Sequence, residues 1–207
     1  MRSAPVAREC SPSLSKGKTV KNLVMMSLVM SLAAVGVVSA ADSLKSGPQE
    51  GDSLGAFYVT KAAGAAEDGV DEGRNLCYRC RNGSRPQVIV FTRSTDPKVA
   101  QFIKQLDQEV AKNQDYSLRA FVNLLGEDKA ALKTEAKKLS AKSGAKNVPF
   151  VVPNEAENGP DNYGLNPKAS VTVVLASDLG VKSSHAVTDV EDLDINAVIA
   201  DISKILN

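Results

Sequence analysis

The 207-residue chain is short of several residue types on which chemistry commonly depends: it has one histidine, three cysteines and no tryptophan. Aromatic residues make up only 4% of it. One histidine excludes triads and closed metal sites that draw on several histidines. An excess of either charge is also missing, since 25 Lys and Arg against 24 Asp and Glu leave a formal net charge of +1. Without a surplus of clustered cations to displace counterions from phosphates, the chain lacks the electrostatic basis of a nucleic-acid binder. Its longest apolar stretch, 23–38, falls short of the roughly 20 residues that span a bilayer as a helix. What remains is an ordinary globular balance, 43% hydrophobic and 24% charged, which excludes a disordered, collagen-like or polytopic membrane protein. At roughly 100 to 200 residues per domain, the length allows one domain with extensions or two small ones.

The first forty residues read as an export leader. Arg2, Arg8, Lys16, Lys18 and Lys21 against the single acid Glu9 precede the apolar stretch, and Val38-Ser39-Ala40 supplies small residues where a signal peptidase would cut. Basic, apolar and small in that order is the pattern of a secretory signal. The expected organisation is therefore a signal peptide over 1–40, a flexible N-terminal arm over 41–54 and one domain over 55–207. Cleavage would leave 20 basic and 23 acidic residues, a net charge of −3, in a periplasmic or extracellular protein with no membrane attachment. Cys10 would leave with the leader, and the remaining Cys77 and Cys80 should meet as a disulfide in an oxidising compartment.

Along the mature part, 41–54 is polar and rich in Gly, Ser and Pro, which suggests a loose arm. Phe57-Tyr58-Val59-Thr60 is a candidate strand, and 61–75, with Gly64, Gly69 and Gly73, reads as a loop. Val88-Ile89-Val90-Phe91 is a continuous apolar run suited to a strand buried on both faces. A helix should follow, capped at Thr95 or Asp96 with Pro97 in its first turn and Val99, Phe102, Ile103, Leu106 and Val110 on one face. A strand over 118–125 and a helix over 128–143 come next, the helix with Ala131, Leu132, Ala136 and Leu139 inward and Gly144 as its stop. An apolar segment over 148–152 leads through a turn-rich connection, with room for a helical turn near Tyr163, to strands over 171–176 and 181–187. Ser177-Asp178-Leu179-Gly180 joins these as a hairpin. A last helix, capped near Asp194, carries Ile195, Val198, Ile199, Ile202 and Leu206.

That order, with a C-x-x-C motif, resembles the thioredoxin-like superfamily. The wording around it resembles the redoxin and peroxiredoxin branch: Glu50-Gly51-Asp52-Ser53-Leu54, then Asn147-Val148-Pro149-Phe150-Val151-Val152, then Asn162-Tyr163-Gly164-Leu165. The resemblance covers roughly 47–207 and implies an α/β, three-layer fold: a central mixed sheet flanked by helices, ending in a strand hairpin and a C-terminal helix. It also implies thiol chemistry. The usual site for it, after the first core strand, reads Phe91-Thr92-Arg93-Ser94-Thr95-Asp96-Pro97 and holds no cysteine, which counts against an ordinary thiol peroxidase. Cys77-Tyr78-Arg79-Cys80 instead precedes that strand. Six residues at about 3.3 Å each put roughly 20 Å between the strand's ends, so the pair is expected near the opposite end of the sheet and without a helix N-terminus of its own.

Three roles suit Cys77 and Cys80. They could exchange thiols and disulfides with a protein partner, with Arg79 and Arg81 supporting the thiolate; four of the six arginines beyond residue 40 lie in 74–85. They could form a structural disulfide, although closing so short a loop stabilises by only roughly 2 kcal/mol. They could also bind metal, but only His185 could join them as a third Cys or His ligand. Arg81 in place of a histidine after Cys80 excludes the usual haem attachment. No cofactor and no metal are expected. The leading reading is an exported thioredoxin-like protein that exchanges disulfides with protein thiols through Cys77 and Cys80. The rival is a redox-inactive binding module of the same fold, with the pair as a permanent clip.

Overall fold

Gln87–Thr92, the strand β3, is buried along all six residues, and it lies inside the sheet because only a strand covered on both faces has a use for an unbroken apolar run. The computed structural model describes residues 44–206; the expected leader and its cleavage point lie outside them. Among the described residues seven strands form one mixed sheet in the order β2-β1-β5-β4-β3-β6-β7. These are β1 (Val59–Ala63), β2 (Asn75–Leu76), β4 (Arg119–Leu124), β5 (Phe150–Pro153), β6 (Val171–Ser177) and β7 (Gly180–Val187), beside β3. β3, β4 and β5 run parallel, β6 lies antiparallel to β3, and β1 lies antiparallel to β5 and β2. The expected hairpin is β6 with β7, in register from Val171–Val187 to Ser177–Gly180 with one shift near Ala176.

The long helices form where apolar periodicity placed them. In α2 (Pro97–Lys112), Val99, Phe102, Ile103, Leu106 and Val110 are the expected stripe, and all are buried. In α3 (Lys129–Ser143), the Asp128 carboxylate accepts from the amides of Ala130 and Ala131, and Gly144, at φ 67°, ends the helix in the left-handed region. Ala131, expected inward, is exposed because the stripe starts one residue later at Leu132. α4 (Ile195–Asp201), capped by Asp194, tightens into a 3₁₀ turn, Ile202–Ile205.

Alternate residues of β3 and β4 supply two cores. Val88, Val90, Ala120 and Val122 join α2, α3 and α4 in one apolar layer. Ile89, Phe91 and Phe121 face the other side, where Leu54, Phe57, Tyr78 and Tyr163 close over them. The layers are thus three but unequal. One face carries all the long helices, and the helical cover of the other is the one-turn α1 (Tyr78–Asn82) and the 3₁₀ turn Asp161–Tyr163.

Two segments expected to be irregular are ordered. Residues 44–54 do not form the loose arm their composition suggests. The Ser46 and Thr172 hydroxyls hydrogen-bond at 2.6 Å, the Gly51 and Leu54 amides donate to Val181 O and Leu179 O, and Leu54 is buried. Within 61–75, read as loop, Lys61 to Ala63 complete β1 and Asn75 with Leu76 form β2. Backbone hydrogen bonds to neighbouring strands hold both segments, and a side-chain pattern does not record them.

Candidate redox site

β2 ends at Leu76, paired with Val59, and the next residue is Cys77. It stands as N-cap of α1, in extended conformation, and its sulfur accepts the Cys80 amide at 3.0 Å. The expectation that these cysteines lack a helix start is corrected here: Cys77 provides one for a five-residue helix. Gly83, at φ 62°, ends it, with its amide donating to Arg79 O and Cys80 O. Cys77 and Cys80 are joined as a disulfide with Cα atoms 5.2 Å apart. The two differ in access. Cys77 is 7% exposed, whereas Cys80 is an exposed residue.

Tyr78, between them, anchors the helix to the sheet. Its ring stacks on Phe121 with centroids 5.7 Å apart, and its hydroxyl donates to Asp68 Oδ2 at 2.6 Å. Burial, reinforced by that bond to a carboxylate, pushes the phenol well above its ordinary pKa. Asp68 also pairs with Lys61 Nζ at 2.7 Å. Lys61 is itself buried and donates further to Ala65 O and Val70 O. A buried ammonium is tolerable only with such a full set of acceptors. Nothing local foretells this tie, because Lys61 sits in a Gly-rich stretch that looks solvated.

Arg79 and Arg81, the expected thiolate supports, flank Cys80, but their hydrogen bonds go elsewhere. Arg79 donates to Leu54 O and Arg81 to Asp68 O at 2.8 Å, and neither bond reaches a sulfur. The cysteine-free stretch lies past the far end of β3. There Thr92 Oγ1 donates to Ser94 O, and Arg93 donates to Glu157 O. α1 instead meets the start of β3, where Asn82 Nδ2 and Gln87 Oε1 are 3.4 Å apart.

His185 lies on β7, in a strand as expected, apart from the cysteines. Its Nε2 is 3.0 Å from Asp201 Oδ2 and 3.2 Å from Ser183 Oγ. Both partners share one ring nitrogen, so the trio lacks the two-ended relay of a nucleophilic triad. Burial works against ionisation of Asp201, but hydrogen bonds from Lys204, Ser183 and His185 outweigh it and hold the carboxyl below its ordinary pKa. The regular spacing of Ser183 and His185 on one strand face could have suggested a pair; nothing local pointed to Asp201. Among the described residues no three His, Cys, Asp or Glu side chains converge as a metal site requires. No helix among them is long and apolar enough to cross a membrane.

No family model and no curated protein matches the sequence. Solved structures do match its shape. A putative thiol:disulfide interchange protein DsbE from Chlorobium tepidum superposes with a TM-score of 0.56 at 17% identity, over 76% of this chain and 98% of that one. A putative protein disulfide isomerase from Bacteroides thetaiotaomicron gives 0.55 at 15%, over 79% and 94%. AhpC of Mycobacterium tuberculosis gives 0.52 at 10%, over 77% and 99%. At such identities the likeness shows the fold alone: the chain has the thioredoxin-like fold of these structures.

Proposed function

We propose that the protein exchanges disulfides with protein thiols through Cys77 and Cys80, after export directed by residues 1–40. The observation that carries this reading is the unequal access of the two cysteines within one helical turn. In the reduced protein the Cys80 thiolate attacks a partner disulfide, forming a mixed disulfide and expelling one partner thiolate. The Cys77 thiolate then attacks the Cys80 sulfur, releases the second partner thiol and restores the Cys77–Cys80 bond. The partner gains two electrons and the protein loses two; the reverse sequence oxidises a partner dithiol. The order of attack is opposite to that usual for a C-x-x-C at a long helix, because here the first cysteine is the buried one. In the reverse sequence, where a partner thiolate attacks Cys80 in the disulfide, the Cys80 amide that reaches Cys77 would stabilise that sulfur as the departing thiolate. Arg79 and Arg81 support a Cys80 thiolate by proximity, an effect screened at an exposed site.

Peroxide reduction is not part of this reading, since 92–97 holds no thiol. The rival, a binding module with a structural clip, draws support from the burial of Cys77. Two measurements separate them. Equilibration with glutathione should place the pair above about −300 mV, the range below which structural disulfides fall. In addition, Cys77→Ser should accumulate mixed disulfides through Cys80, and Cys80→Ser should not. A disulfide that resists glutathione, with no adduct in either variant, would establish the clip.

A further inference from the structure

Beside α1 lies a cleft of about 1370 Å³, between the 64–72 loop, the end of α2 and the approach to β5. Its lining includes Arg81, Arg85, Arg119 and Lys146. Among the described residues every ion pair within 4.0 Å uses a lysine or His185, and none uses an arginine. Arg81 donates to Asp68 O, Arg85 to Arg81 O and Asn82 O, and Arg119 to Leu118 O. Those acceptors are neutral carbonyls. Each guanidinium has five donors in a fork that fits a carboxylate two bonds at a time, so most of this capacity is unspent. Two of the acids on the lining are already neutralised, Asp68 by Lys61 and Glu72 by Lys137. That leaves four cations against Glu67 and Asp71.

We infer that this cleft binds a carboxylate-bearing segment of a protein substrate and so selects acidic partners for the exchange at Cys80. The inference rests on the exchange reading and names its substrate class. Position supports it: Arg81 directly follows Cys80 in α1, so a segment held in the cleft, whose lining does not itself include Cys80, lies within one helical turn of the exposed sulfur. Glu67 and Asp71 on the same lining favour a peptide of mixed charge over the uninterrupted negative charge of a nucleic acid.

The test uses the full protein and three short peptides: one with an internal disulfide flanked by glutamates, the same with glutamines, and the glutamate form with both cysteines changed to serine. At low ionic strength the glutamate disulfide should be exchanged about tenfold faster than the glutamine one, an advantage that added salt removes. The triple substitution Arg85→Gln, Arg119→Gln, Lys146→Gln, all at exposed positions, should abolish that advantage and leave the glutamine peptide's rate unchanged. The serine peptide should bind, by fluorescence anisotropy, and lose binding in the same variant. Equal rates for the two disulfide peptides with no binding of the serine peptide would overturn the inference while exchange itself stands. Displacement of the serine peptide by an equal concentration of single-stranded oligonucleotide would also overturn it. Binding of the serine peptide without exchange of either disulfide would uphold the cleft and refute the exchange reading.

Discussion

Val88 and Val90 point into a layer of helices, whereas Ile89 and Phe91 of the same strand point into a layer of loops. The first layer is closed by aliphatic stripes repeating along α2, α3 and α4. The second is closed by rings and polar ties: all five aromatic pairs among the described residues lie there, centred on Phe57, Phe91, Phe121 and Tyr163. Tyr163 Oη donates to Gly55 O, Tyr78 to Asp68 and Arg79 to Leu54 O. A long amphipathic helix covers a sheet without specific polar contacts, but a covering of short segments must satisfy its own backbone and needs named bonds to stay in place. Segments held in that way open at lower free energy than packed helices. The disulfide sits in the face that can move.

The largest expected effect belongs to the helical face. Phe102 is fully buried, and Phe102→Ala should cost about 3–5 kcal/mol, read as a shift of the whole unfolding transition in urea. On the opposite face, Lys61→Met would leave Ala65 O, Val70 O and Asp68 without their ammonium. That should cost about 2–3 kcal/mol and, in hydrogen exchange, loosen α1 and 64–74 while α2 and α3 keep their protection. Equal loss of protection on both faces would erase the distinction drawn between them.

The smallest effect concerns Asp201, which joins α4 to the edge strand β7. Its folded pKa is depressed, so its stabilisation is complete above the unfolded carboxylate value of about 3.9 and is lost as pH falls through the folded value. Asp201→Asn should therefore cost under about 1 kcal/mol near neutral pH, and the difference from the parent in urea midpoint should shrink toward zero in acid. A difference independent of pH would remove the carboxylate's charge from the account.

Much of the helical face was legible in the sequence and little of the other. The α2 stripe and the Val171–Ser177 strand announce themselves because apolar burial writes directly into residue order. α1 does not: Tyr78-Arg79-Cys80-Arg81-Asn82 is too short for a period, and its cap is a cysteine and not one of the usual oxygen-bearing residues. Lys61 carries no local sign of burial because its three acceptors come from a loop whose path no local pattern fixes. The unequal layering was hidden for a related reason, since Val88-Ile89-Val90-Phe91 requires cover on both sides without specifying its kind. The cysteines could be found by inspection, but which of them faces solvent could not, because that follows from where Tyr78 docks.

The ordering of 44–54 has a consequence for self-association. β7 is an eight-residue strand at the edge of the sheet, and an open edge of that length is a template for another chain's backbone. Gly51 N–H and Asp52 O bond to Val181 O and N–H, and Ser53 bridges Gly180. The segment thus occupies the hydrogen-bonding groups where β7 begins, and Lys182 places a charge at the next residue. At the other edge β2 is only two residues long. A chain shortened past Leu54 would uncover the start of β7, and with it backbone groups open to intermolecular β-pairing, so these residues cover the edge of the sheet.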